Sequence, residues 1–483
     1  MPLLVLALLA CSKDLEDTSL TPADTDTDTD SDADSDTDTD TDTDADTYTF
    51  ASRFTDGSSV AYDGQSMRML LINDMIAWLD GVTTRIDSGL YPPAGQIAGE
   101  LLFYFEFDSA SGGAVPHAYT CDPAAEQTVY DDVSSDKDLV GKIAGNDAST
   151  MHVDWSTAMV GWDDPAVTSP ESLVRLWIDQ IDAAAVARAN GDIPLGPDGA
   201  PLPAVYLTES GQDLSQLLEK FLLGAIAFSQ GTDDYLDDDL DGTGILSSNA
   251  APTDGSAYTG LEHAWDEAFG YWGGARDYGA WSDDTVSDVG YADTYDPNGA
   301  IDLLSEVCWG ASVNAAKRDR DAVVATTLRE DVWGAFLDGR AYIASIDGEL
   351  DAAQQDVLRG YRDTIVRGWE EALAASAVHY VNDTLRDMSA FGTEDYAFAD
   401  HAKHWSELKG FALSLQFSPH SPLSDADFLR LHDLIGQAPV LETASAADVD
   451  AAKADLLEAR ALLGTAYGFD PANLGDDDGN GGW

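Results

Sequence analysis

The stretch GLEHAWDEAFGYWGG, residues 260–274, decides how the fold is read. Wound as an α-helix, it stacks Trp265, Phe269 and Trp272 on one side at spacings of four and seven. His263, Asp266 and Glu267 then share a neighbouring edge, three and four residues apart. The aromatic stripe is a core face, and the edge is a set of candidate ligands. The pattern W-x-E-x-x-G-aromatic returns at Trp405, Glu407, Gly410 and Phe411, with His404 just upstream as His263 is upstream of Trp265. Two copies of such a helix point to a bundle built twice, with halves at 48–295 and 296–470.

Working outward, residues 64–82, 169–191 and 210–231 each show helical periodicity between a Ser, Asp or Gly start signal and a closing glycine. Long periodic segments fill the C-terminal half, among them residues 352–388. Strand-like runs are few: LLFYFEF (101–107), which reads equally as buried helix, and AVYLTES (204–210). The expectation is a mainly α, helical bundle domain over residues 48–470, followed by an acidic Gly/Asp tail at 471–483.

The N-terminus carries addresses rather than fold. MPLLVLALLAC is too short to span a bilayer and resembles the lipobox of bacterial lipoproteins, with residues 1–11 as signal peptide and Cys11 as the lipidated residue. Ser12 after the cysteine fits, by that resemblance, an outer-membrane lipoprotein, periplasmic or surface-exposed. Residues 12–47 follow as an Asp/Thr-rich tether with aspartate at every even position from Asp24 to Asp46. Like charges two residues apart repel and nothing there can pack, so an extended, disordered spacer is expected.

The formal charge of the chain is −65, from 89 Asp and Glu against 24 Lys and Arg. Such a surface repels nucleic acid and anionic headgroups and suits cations. Besides Cys11 only Cys121 and Cys308 occur, enough for one disulfide but not for a disulfide scaffold.

Three kinds of site are candidates. Asp237, Asp239, Asp241 and Gly242 match the first half of a calcium loop, although Ser248 stands where its closing glutamate belongs. Asp296, Asn298 and Asp302 echo such a loop more weakly, with Glu306 one position late; a solvated turn explains each loop equally well. The pairs His263 with Asp266 and Glu267, and His404 with Glu407, are candidate ligands for iron or another divalent metal, with His401 able to join the second pair. Their His-x-x-acid order reverses the Glu-x-x-His of di-iron bundles, and histidines merely bonded inside the bundle explain them equally well. Arg318, Arg320 and Arg340 are expected to pair with carboxylates and so to orient acids. The sequence contains no HExxH, G-x-S-x-G, Walker or dinucleotide motif, which speaks against hydrolase, nucleotide and redox readings.

The stretches SSVAYDGQSMR, GQDLSQLLEKFLLGA, EHAWDEAFGYWG, AAKRD and HWSELKGFALSLQF resemble a family of bacterial envelope lipoproteins of unknown function, distantly similar to imelysin-like proteins. Imelysin-like proteins carry G-x-H-x-x-E on a helical bundle. Here Gly260, His263 and Asp266 come nearest, with one extra residue before the histidine and Asp in place of Glu. The resemblance implies an envelope setting linked to iron uptake. The expected function is therefore an envelope lipoprotein whose helical domain binds a divalent cation, calcium in the loops and iron at the His/acid pairs, as an accessory to metal uptake. It would be membrane-held through Cys11 and would not bind nucleic acid or nucleotide. A metal-dependent hydrolase using Glu267 or Glu407 as base, and a metal-free module docking an envelope protein partner, are the alternatives; catalysis is the less expected.

Overall fold

The computed structural model describes residues 47–147, 152–253 and 255–483. The signal segment, Cys11 and the tether up to residue 46 lie outside the described residues. Among the described residues there are eleven α-helices of nine residues or more and no strand, only isolated bridges such as Leu207 with Asp213. They are α1 Asp63–Asp80, α2 Gln96–Phe105, α3 Pro170–Ala189, α4 Leu214–Leu222, α5 Gly260–Trp272, α6 Gly310–Asp321, α7 Leu328–Ser345, α8 Ala352–Ser389, α9 Phe398–Ser414, α10 Asp425–Ile435 and α11 Ala446–Tyr467. The protein is mainly α, as its periodicity indicates. The strand-like LLFYFEF falls largely in α2, where Leu101 and Phe105 are buried one turn apart. None of the described helices is long and apolar enough to cross a membrane.

Local chemistry sets the helix ends. Asp213 accepts from the backbone N–H groups of Ser215 and Gln216 and so starts α4. Thr259 and Glu262 form a reciprocal capping box on α5, which stops at Gly273 in the left-handed region at φ 85°. Asp351 and Gln354 do the same for α8, whose 38 residues run about 57 Å at 1.5 Å per residue. Past α4 the chain continues in wider π turns, Leu223–Phe228 and Gly231–Tyr235.

α8 packs along α7 and α9, and also meets α6 and α11. Its buried Ala372, Ala374, Ala375 and Ala377 leave room for those neighbours. α9 leans on α4, and α5 lies between α1 and α7. The contacts of α4 with α9 and of α5 with α7 join the two expected halves in one hydrophobic core.

The two W-x-E-x-x-G helices are seated alike. Trp265 donates its indole N–H to the carbonyl of Phe336 at 2.9 Å, and Trp405 to that of Ile435 at 3.2 Å. Gly270 lies against Tyr62 and Gln65 at the start of α1, and Gly410 against Lys220 of α4, each so close that a Cβ would come within 2.7 Å. Residues 471–483 are docked rather than trailing. Trp483 is buried, its indole donating to the Arg318 carbonyl at 2.8 Å and its own carbonyl accepting from Asn382 at 3.0 Å.

Candidate functional site

The stripe of α5 behaves as its spacing says: Trp265, Phe269 and Trp272 are fully buried. The ligand edge does not stay together. Asp266 turns inward, where one carboxylate oxygen accepts from Arg340 Nε and Tyr48 Oη, both at 2.8 Å, and the other from the Ala61 N–H at 3.3 Å. Arg340, itself fully buried, also meets Glu262 at 3.3 Å and Ser59 at 2.7 Å, so one guanidinium serves two acids four residues apart on α5. Burial raises the Asp266 pKa, against the opposing pull of Arg340. His263 stacks on Tyr258 and reaches the Ala61 carbonyl through Nδ1 at 3.1 Å; its Nε2 is 3.7 Å from Glu267, which in turn accepts from Gln65 at 2.8 Å.

On α9, His404 turns to Asp387 of α8 at 2.8 Å rather than to Glu407. Glu407 accepts from Tyr380 Oη at 2.9 Å and lies 3.7 Å from Lys220 Nζ. His401 is buried against Phe391 and Tyr396, and burial pushes its pKa down to about 4. Among the described residues one group brings three potential metal-ligand atoms within 4.8 Å of one another: Asp237, Asp238 and His420. The five residues proposed from the helix edges, His263, Asp266, Glu267, His404 and Glu407, are not in it.

The loop Asp237–Gly242 does not wrap a central point with all its acids. Asp237 faces His420 at 3.5 Å, while both oxygens of Asp238 are taken by Arg359 and Arg362 at 2.7 and 3.1 Å. Asp239 lies against Asp237, and with burial this carries its pKa to about 6; Asp241 is exposed. The second loop is pinned by its own carboxylates. Glu306 accepts from the N–H groups of Tyr295, Asp296 and Asp302, and Asp302 from Gln127, Leu304 and Ser305. Asn298 bonds Ala300 and Glu126. These acids cap backbone. Cys121 and Cys308 are free thiols, and burial pushes Cys308 up to about 12.

What the structure does assemble is a groove between α1, α4, α6 and the turn at residues 286–290. Its larger recess is about 280 Å³ and is lined by Lys220, Lys317, Asn314, Asn73 and Tyr119. An adjoining recess of about 230 Å³ shares Asn73, Glu219, Leu223, Trp309 and Gly310 with it, and is walled by Met69, Ile72 and Ile76. Lys220 is ion-paired to Glu219 at 2.8 Å. Lys317 makes no ion pair among the described residues, and burial, with Lys220 and Arg318 nearby, lowers its pKa.

Behind this wall sits a buried polar nest. Arg320 and Arg340 pair with carboxylates as expected, but Arg318 reaches Asp321 only at 3.5 Å. Its Nε and Nη1 have no hydrogen-bond partner among the described residues, and neither do His379 Nδ1 and Glu407 Oε2. Lys220 and Lys317 were not singled out from sequence. Their rarity among 89 acids was the available signal.

A helical domain with a partly cationic groove is the class these features define. Residues 172–469 match the model of a family described as a domain of unknown function, DUF4856, and the chain belongs to that family. No curated protein and no solved structure matches the chain.

Proposed function

We propose that this chain is an accessory binding protein of the bacterial envelope, lipid-anchored at Cys11, whose helical domain holds a small ligand in the groove between α1, α4 and α6. The observation that carries the reading is the groove itself: two adjoining recesses with two lysines on their walls, in a chain where acids outnumber basic residues by 89 to 24. The like seating of the α5 and α9 motifs supports an origin by duplication. The test is calorimetric titration of the purified full chain with a panel of small anions, cations and neutral amphiphiles. Saturable binding weakened by Lys220→Met supports the reading, and no binding by any probe overturns it.

A second reading keeps the cation. Asp237, Asp238 and His420 are the support for it, although Asp238 also carries two arginines. A nitrogen donor beside carboxylates suits iron or another transition metal better than calcium, which takes oxygen ligands. The resemblance of residues 260–267 to the imelysin-like motif supports an iron-related setting, but weakly, because Asp266 already neutralises Arg340. Titrating chelator-treated protein with Fe²⁺ and Ca²⁺ decides it. Iron binding lost in His420→Ala and retained in His263→Ala supports the loop site, whereas loss in His263→Ala returns the metal to α5.

A further inference from the structure

We infer that the groove takes an amphiphile with a single anionic head, the head against α6 and its apolar body along α1. This rests on the groove being a ligand site and adds the chemistry of the ligand.

The head end is built from three features. The first turn of α6 forms part of the wall through Trp309, Gly310 and Val313, and no side chain caps that helix start. Unfilled N–H groups and the positive end of the helix dipole favour an anion there. Asn314 and Lys317 continue along the same face, seven residues covering about 10 Å from Gly310 to Lys317. Lys317 is the decisive one: it is half-buried and no carboxylate holds it in an ion pair, Glu219 and Glu407 acting on it only from a distance.

Of the three acids that line the two recesses, Glu219, Asp288 and Asp80, two are ion-paired. Glu219 is paired to Lys220, and Asp288 to Arg320 at 2.7 Å. Arg318, one residue beyond Lys317, adds positive charge behind the wall with two donors unpaired. An incoming anion therefore meets at Lys317 an ammonium group that is not already tied into an ion pair.

The body end is apolar. Met69, Ile72 and Ile76 recur at helical spacing along α1, each nearly buried by the protein, and Leu223 closes the opposite wall. Asp80 at the far end of that recess disfavours a second acidic group there, which fixes the orientation and limits the ligand to one anionic head.

The experiment is calorimetric titration of the full chain with acetate, octanoate, octyl phosphate, octanol and octylamine. The expected result is one-to-one binding of octanoate and octyl phosphate, at least tenfold tighter than acetate, octanol or octylamine. Lys317→Gln should weaken octanoate at least tenfold and Lys317→Arg should restore it, with circular dichroism confirming that both variants fold. Ile76→Ser should reduce the advantage of octanoate over acetate. Octanol or octylamine binding as tightly as octanoate overturns the anion assignment while leaving the groove as a ligand site. Failure of every probe overturns both.

Discussion

At the scale of single residues, the interior of this protein holds charges whose partners come from far along the chain. Arg340 is the clearest case, since Glu262 and Asp266 are both fully buried and both face it. Arg340→Met should lower stability by about 3–5 kcal/mol, because it leaves buried carboxylates unpaired. The check is the shift of the urea midpoint. Two other buried groups make stability depend on pH in opposite ways. Burial raises Glu370 to about 7 although Tyr467 and Ser421 donate to it. The folded state therefore holds an extra proton between about pH 4.5 and 7, and stability is lost as pH rises through that window. Lys409, bonded to His432 and the Gly436 carbonyl, is lowered to about 7. There the unfolded state binds the extra proton, so stability is regained from pH 7 up to the ordinary lysine range. Glu370→Gln should flatten the first slope and Lys409→Met the second, in thermal melts from pH 4.5 to 10. Little of this was legible beforehand. Asp266 sits at ligand spacing from His263, and only the fold reveals that its edge faces Arg340 instead of a cavity.

At the scale of elements, close packing is set by glycines that the periodicity does not explain. A Cβ on Gly339 of α7 would stand 2.2 Å from Cζ2 of the fully buried Trp265. Gly339→Ala should therefore destabilise by about 1–3 kcal/mol or more, even though alanine is the better helix former by about 1 kcal/mol. A drop in melting temperature with unchanged helical circular dichroism in the folded range is the expected readout. The helices themselves were readable, because capping residues and apolar spacing are local: α1, α3 and α4 appear near their expected positions. The groove was not readable. Lys220 and Lys317 belong to helices far apart in sequence, and each alone looks like an ordinary surface cation. The equivalence of the two histidines was misread for a related reason. His263 precedes Trp265 by two residues and His404 precedes Trp405 by one, which turns them about 100° apart around their helices.

At the scale of the whole molecule, a net charge of −65 works against a groove that prefers an anion. At 10 mM salt the repulsion reaches about 30 Å and meets the ligand before the lysines can; at 150 mM it fades within about 8 Å. The association rate for octanoate should accordingly rise several-fold between those salt concentrations, read by stopped-flow quenching of Trp309 in the groove wall. A falling rate would mean that Lys220 and Lys317 dominate the approach. The π-helical run Leu223–Phe228 begins at a residue that lines both recesses and leads straight on from α4. Each π turn carries one residue more than an α turn would use. The run is thus a store of spare chain length, and a one-residue deletion there can be absorbed by rewinding π into α with both flanks left in register. The same deletion in the middle of α8 would swing every later side chain by about 100°. This segment is where the groove wall could gain or lose a residue without the bundle being rebuilt.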